Sequence, residues 1–385
     1  MKRLKKFFKW LAIIIVLLVA TLYITDTDYL LKAVRTIYLT GHTTAYLKDY
    51  QKFDNHTVTA AQQPQPWPLH KDYNSISVTE KLAQQNKELG TVAYLIFKND
   101  SIWFEEYYDG YDTDSKSNSF SMVKSMVTAL LGKAIMEGHI KSPDQPIGDF
   151  YPQYQEGLAA QTTVGDLSSM ASGSNWDEAY YSPFSITTRA YFDDDLREVI
   201  FGLDIVEAPG QKFKYASGDT QLLGMILEKA TGQTLSNYLS DSFWKPMGAE
   251  HDALWTVDSE EEGMEKAFCC LASNARDFAR FGKLYKDHGK WKGKQLLDSS
   301  FVAKCITPRF AESPEYGYGW WLYKNKGKSF FMMRGHLGQY VIVEPNDNIM
   351  IVRLGHQKSP DAGVGKFTED ISVYIEEGYR MLESN

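Results

Sequence analysis

A serine and a lysine stand three residues apart in Ser121-Met122-Val123-Lys124, at the head of a helical pattern that runs to Glu137 and stops at Gly138. Residues three apart share one helix face, so the pattern requires a helix to start at Ser121 with hydroxyl and ammonium side by side. That pairing carries chemistry. A serine hydroxyl is a poor nucleophile until a base removes its proton, and a lysine at i+3 can do so. The positive end of the helix dipole at this first turn also favours developing negative charge. By itself the pattern is too common to decide anything, so the rest of the chain has to.

The 385 residues, 43% hydrophobic and 14% aromatic, suffice for a large core with a second lobe beside it. A net charge of -8 and a pI near 5.6, with no long basic stripe beyond the extreme N-terminus, exclude a nucleic-acid partner. The three cysteines, Cys269, Cys270 and Cys305, form neither a metal pattern nor a disulfide framework, and adjacent Cys269 and Cys270 read as small buried hydrophobes. Eight histidines without H-E-x-x-H or paired C-x-x-C give no support for a metal, and no cofactor is expected. The chemistry must come from side chains.

Lys2, Arg3, Lys5, Lys6 and Lys9 precede an apolar run, Trp10 to Ile24, that only Thr21 interrupts. A helix over that run would be about 22 Å long, short of a hydrocarbon core of about 30 Å unless Phe7 and Phe8 contribute. Thr21, Tyr23 and Thr25 flank the positions a signal peptidase would need, and no lipobox cysteine follows. The expectation is an uncleaved, single-pass anchor in the cytoplasmic membrane. Residues 1–9 would stay in the cytoplasm, 10–24 would span, and the catalytic part would lie on the extracytoplasmic side.

Residues 25–77 read as a linker and N-terminal extension that closes with the proline-rich Gln62-Gln63-Pro64-Gln65-Pro66-Trp67-Pro68, and residues 78–385 read as the folded domain. It opens with a helix from Thr79 to Leu89 stopped by Gly90, then strands Thr91 to Lys98 and Ile102 to Tyr108 around an Asn99-Asp100 turn. Residues 145–310 carry helical spacing at Thr163 to Met170, Thr220 to Ala230 and Asn274 to Lys286. Strand signals return at Phe330 to Arg334, Tyr340 to Glu344 and Ile349 to Leu354, before a closing helix from Phe367 to Leu382. The class is α+β, with a helical lobe inserted between the two halves of a sheet layer.

Three separated elements then follow in order: Ser121-x-x-Lys124, Tyr215-Ala216-Ser217 after the Pro209-Gly210 turn, and His336-Leu337-Gly338 between two strands. With them come Thr163-Val164-Gly165-Asp166-Leu167, Met170-x-Ser172-Gly173 and Tyr316-Gly317-Tyr318-Gly319-Trp320-Trp321. On these residues nearly everything after Val78 resembles the serine beta-lactamase and penicillin-binding-protein superfamily, in its class C-like branch. A narrower likeness is to the 6-aminohexanoate-dimer hydrolases and related esterases, carried by Trp176-Asp177-Glu178-Ala179-Tyr180-Tyr181-Ser182-Pro183, by Phe213 to Ser217, and by Gly263 to Cys270 leading into Ala275 to Gly282. The resemblance implies a beta-lactamase/transpeptidase-like fold, an antiparallel sheet flanked by helices with an inserted, mostly helical lobe, preceded here by the membrane helix.

It also implies roles. Ser121 would attack a carbonyl, with Lys124 and Tyr215 moving the proton and either of them acting as general base. At its reference pKa of about 10.4 a lysine is a poor base at neutral pH, so the site must lower it. The oxyanion would sit between the backbone N–H groups of Ser121 and Gln339. Tyr180, Ser217, His336 and Gly338 would bind substrate, Gly338 by letting it lie close to the strand. Ser217 stands where class C beta-lactamases have Asn, which weakens the lactamase reading. Trp320 and Trp321 read as core. The function expected is a membrane-anchored serine hydrolase cleaving a small ester, amide or peptide through an acyl-enzyme. The alternatives are a D,D-peptidase or beta-lactamase acting on cell-wall peptides or beta-lactams, and a non-catalytic binding or sensor module.

Overall fold

A computed structural model describes residues 1–360 and 367–384. Its frame is a six-stranded antiparallel sheet built from both ends of the domain. Across the sheet the strands run Ser101–Tyr107, Thr91–Lys98, Ile349–Gly355, Gln339–Glu344, Lys328–Gly335 and Trp321–Asn325. Five of the six match the strand signals in the sequence. The Trp321–Asn325 edge strand does not, because it begins inside the aromatic-glycine run rather than in an alternating pattern. The Thr91–Lys98 strand is apolar on both faces, and the two sets of side chains enter different cores. Leu95 and Phe97 pack on the side of the Ser121 helix, while Tyr94 and Ile96 face the helices Glu80–Glu88 and Glu369–Glu383. Tyr94 donates its hydroxyl to the Tyr374 carbonyl at 2.9 Å, tying the closing helix to the sheet.

On the opposite face the Ala275–Lys286 helix lies against the Gln339–Glu344 strand, and Gly282 leaves room there for Val341 and Val343. Asn274 caps this helix through the Asp277 N–H. The lobe between the sheet halves holds the helices Ile186–Phe192, Leu196–Phe201, Ser217–Thr231 and Leu235–Leu239. The same stretch supplies three of the four strands of a second sheet, ordered Asn55–Val58, Ala253–Thr256, Leu271–Ser273, Ser117–Asn118.

The first strand of that second sheet comes from the stretch expected as linker and extension. Residues 25–77 form a helix, Tyr29–Thr36, and the strand Asn55–Val58, and they lodge Trp67 in the core with its indole N–H donating to the Arg276 carbonyl at 2.9 Å. Ahead of them the helix Lys2–Ile24 has no buried residue, and its 23 residues extend about 35 Å, long enough to cross a hydrocarbon core because the basic segment continues it.

Candidate active site

Ser121 sits in a short 3-10 turn, Phe120–Met122, that feeds the helix Val123–Glu137. Phe120 enters the turn at φ 45°, a left-handed conformation that costs a side-chain-bearing residue energy and is held by its surroundings. Asn118 accepts the Phe120 N–H at 2.9 Å, and Gly335 on the neighbouring strand has no side chain to collide with the Ser119 carbonyl. The helix that follows is buried without a break from Val123 to Gly132. Gly319 stands where a Cβ would collide with Thr128 and crowd the Lys124 carbonyl, which explains that glycine in the Tyr316–Trp321 motif.

Lys124 is 2% exposed. Its Nζ donates to the Ser121 hydroxyl at 2.9 Å and to the Phe268 carbonyl at 2.6 Å, and it lies 5.2 Å from the centre of the Tyr215 ring. Burial strips water from the ammonium and pulls its pKa down to about 8, with the Glu178 carboxylate pulling the other way. Tyr215 stacks on Trp321 at 5.5 Å, with Tyr316 edge-on. Burial and the Glu178 charge hold its phenol above the usual range, opposed by the Ser121 hydroxyl against it and by Arg334. Ser121, Lys124 and Tyr215 therefore meet, as the sequence predicts.

Glu178 is the residue that motif reading missed. Its carboxylate accepts from the Ser217 N–H at 2.8 Å, the Ser217 hydroxyl at 2.7 Å, the Trp176 indole at 2.6 Å and the Tyr180 hydroxyl at 2.5 Å. One carboxylate thus fixes two of the expected binding residues at the mouth of the site. The signal was its place between Trp176 and Tyr180, two aromatic donors that need an acceptor once they turn inward. Tyr180 stacks on His336 at 5.5 Å, and His336 meets Phe120 edge-on at 5.6 Å.

Ser121, Tyr180, Ser217 and His336 all line one cavity of about 390 Å³. Gly338 and Gln339 lie behind the His336 turn. Gly338 has φ 84°, and a Cβ there would collide with the guanidinium of buried Arg353, which donates to the Leu337, Gly338 and Gln357 carbonyls. Its side-chain-free position serves the turn. Gln339 pairs with Gly335 across the hairpin, and its side chain exchanges hydrogen bonds with Gly355.

The two adjacent cysteines correct a sequence expectation. They are buried as predicted, but they are joined to each other as a Cys269–Cys270 disulfide. Spacing rules look for cysteines that close loops, and a pair of neighbours closes none. The bond directly follows Phe268, whose carbonyl receives Lys124, and Cys269 lines the cavity.

The beta-lactamase family model matches residues 78–372, three quarters of the sequence and every residue of this cluster. The chain belongs to the beta-lactamase family. It is a serine hydrolase of the beta-lactamase/transpeptidase-like fold. Among its relatives, the 6-aminohexanoate-dimer hydrolase of Paenarthrobacter ureafaciens is 26% identical over 302 residues, covering 73% of this chain and 76% of that protein. A Bacillus anthracis structure provisionally described as a 6-aminohexanoate-dimer hydrolase superposes with a TM-score of 0.70 at 20% identity, over 87% of this chain and 91% of its own. A family VIII carboxylesterase superposes at 0.61 and 15% identity, over 82% and 99%. These structural likenesses show that the beta-lactamase fold is shared.

Proposed function

We propose that this beta-lactamase-family chain is a membrane-anchored hydrolase that cleaves an ester or amide through an acyl-enzyme on Ser121. The observation that carries the reading is the buried Lys124 ammonium, 2.9 Å from the Ser121 hydroxyl with its pKa drawn down to about 8. At neutral pH roughly a tenth of such lysines are already uncharged, against almost none at the reference value. The raised Tyr215 phenol keeps its proton at that pH, which supports Lys124 as the base and Tyr215 as donor to the departing alcohol or amine. Ser121 Oγ attacks the carbonyl as Lys124 takes its proton. The bond to the leaving group breaks as that group is protonated, and water then hydrolyses the acyl-serine. The Ser121 and Gln339 backbone N–H groups are the proposed oxyanion donors, and Tyr180, Ser217, His336 and Gly338 shape the binding side, Gly338 through the turn it permits.

Residues 1–9 are proposed as the cytoplasmic segment, 10–24 as the span, 25–77 as an extension packed on the lobe and 78–385 as the hydrolase domain outside the cytoplasm. The exposed apolar helix Lys2–Ile24 and the five basic residues at its start favour that topology, and the disulfide suits an oxidising compartment. The relative named 6-aminohexanoate-dimer hydrolase makes an amide a candidate substrate, and the structural neighbour named carboxylesterase makes an ester one. The test is intact-mass spectrometry of the full chain after a fluorophosphonate, beside Ser121→Ala. One adduct on wild type alone is expected. Its absence from folded protein would favour the binding or sensor module instead.

A further inference from the structure

The cavity on Ser121 has two unusual properties. Among the described residues none that line it is an aspartate, glutamate, lysine or arginine, and part of its wall comes from the N-terminal extension beside residues of the hydrolase domain. Leu30 and Val34 of the Tyr29–Thr36 helix and Tyr38 just beyond it form that wall, opposite Phe184 of the loop that follows Tyr180. This helix starts five residues after Ile24, where the long apolar helix ends. Tyr38 at 63%, Tyr181 at 83% and Phe184 at 72% exposure turn aromatic rings outward around the cavity. Aromatic rings with a polar tip favour the headgroup level of a bilayer, and a helix that starts five residues after the span has to lie near it.

We propose that this cavity holds the acyl chain of a membrane amphiphile, and that the substrate is a long-chain fatty-acid ester or N-acyl amide drawn from the bilayer surface. The inference rests on the reading of Ser121 as nucleophile and of Lys2–Ile24 as anchor. The charge-free lining decides between substrate classes. A charged oligomer or a carboxylate-bearing lactam would enter without a counter-ion and lose its hydration, whereas an acyl chain loses nothing polar. About 390 Å³ lies within the range of small-molecule sites, and apolar walls are what a methylene chain needs. The carbonyl carbon would meet Ser121 Oγ with the chain running outward between the extension helix and the Phe184 loop. The bond from carbonyl carbon to the leaving oxygen or nitrogen breaks, that group leaves protonated, and water releases the fatty acid.

The test uses full-length protein in phosphatidylcholine nanodiscs with a series of p-nitrophenyl esters from acetyl to decanoyl. Each buried methylene contributes about 0.8 kcal/mol, so kcat/KM should rise about fourfold per methylene until the cavity is full. Partition into lipid enriches long esters for any enzyme, so Val34→Trp, which narrows the wall, is run beside wild type. The decanoyl-to-acetyl ratio should fall at least tenfold in that variant. A series that is flat beyond butyryl in wild type, or a ratio that Val34→Trp leaves untouched, overturns the acyl-chain site. If Val34→Trp does not fold, the wild-type series with partition measured separately decides alone. A Ser121 fluorophosphonate adduct with acetyl turnover but no chain-length gain removes this inference only, whereas no adduct and no turnover of any ester removes the hydrolase reading beneath it.

Discussion

Lys124 donates to the Ser121 hydroxyl at 2.9 Å from a position that is 2% exposed and, among the described residues, faces no carboxylate at hydrogen-bond distance. Its other acceptor among the described residues is the neutral Phe268 carbonyl, so the site stabilises the ammonium only weakly and its proton is easily lost. If neutral Lys124 is the base, kcat/KM for an uncharged ester should rise with pH along a single limb centred at about 8. A limb centred near 10 would mean that Lys124 is not depressed. The same pKa has a stability consequence. Between about pH 8 and the ordinary 10.5 the unfolded chain still holds the proton that the folded chain has released, so stability from this group rises with pH across that window. Lys124→Met should therefore abolish turnover yet raise stability at pH 7 by on the order of 1–3 kcal/mol, read from denaturant midpoints.

Glu178 acts on Lys124 through charge, raising its pKa against the effect of burial. Glu178→Gln removes that charge while keeping one acceptor for Ser217 or Tyr180, so the rising limb of the pH profile should move below 8. The KM for an ester should rise at the same time, because Tyr180 loses its carboxylate partner at the mouth. An unmoved limb would place Glu178 outside the electrostatics of the base and leave it only a packing role.

The three elements of the candidate site were legible because their spacing is local to rigid elements: the Ser121–Lys124 i+3 pair, Tyr215 just ahead of a buried helix and the His336 turn between paired strands. The strands announced themselves by apolar runs closed with Asn-Asp and Asn-rich turns, and Asn99 and Asp100 do adopt the left-handed φ values of 51° and 62° that such a turn needs. What escaped depends on contacts distant in sequence. Glu178 reaches Ser217 across 39 residues, and Asp49 of the extension reaches Asn118 across 69. No periodicity encodes such pairs. The extension looked irregular because its order comes from pairing: Asn55–Val58 becomes a strand only when Ala253–Thr256 lies beside it.

Penicillins carry a carboxylate, and among the described residues lining the cavity there is no lysine or arginine to meet it. Ser217, where class C beta-lactamases have Asn, has its hydroxyl committed to Glu178. Benzylpenicillin should leave the mass of the protein unchanged under conditions in which a fluorophosphonate labels it fully. A stoichiometric penicilloyl adduct on Ser121 would restore the lactam-recognising reading and demand a carboxylate partner outside the cavity lining.

Asp49 connects the extension to the Ser121 turn by two hydrogen bonds: it accepts from Asn118 at 2.9 Å, and Asn118 accepts the Phe120 N–H at 2.9 Å. Tyr191 donates to its other oxygen at 2.7 Å. Burial is the largest influence on this carboxyl and pushes its pKa up to about 6, so the folded chain binds a proton between about pH 4 and 6 that the unfolded chain has lost. The sign is the reverse of a salt-bridged carboxylate: stability falls as pH rises through that window and stays lower above it. A shift of that size is worth on the order of 3 kcal/mol. Asp49→Asn cannot titrate, so its denaturation midpoint at pH 7, relative to that at pH 4.5, should exceed the wild-type ratio. Equal pH slopes in the two proteins would show that Asp49 is charged at little cost. If the link to Phe120 positions Ser121, the same variant should lower kcat for an acetyl ester more than it raises KM, since Asp49 itself does not line the cavity and the substituted asparagine still offers Tyr191 an oxygen acceptor.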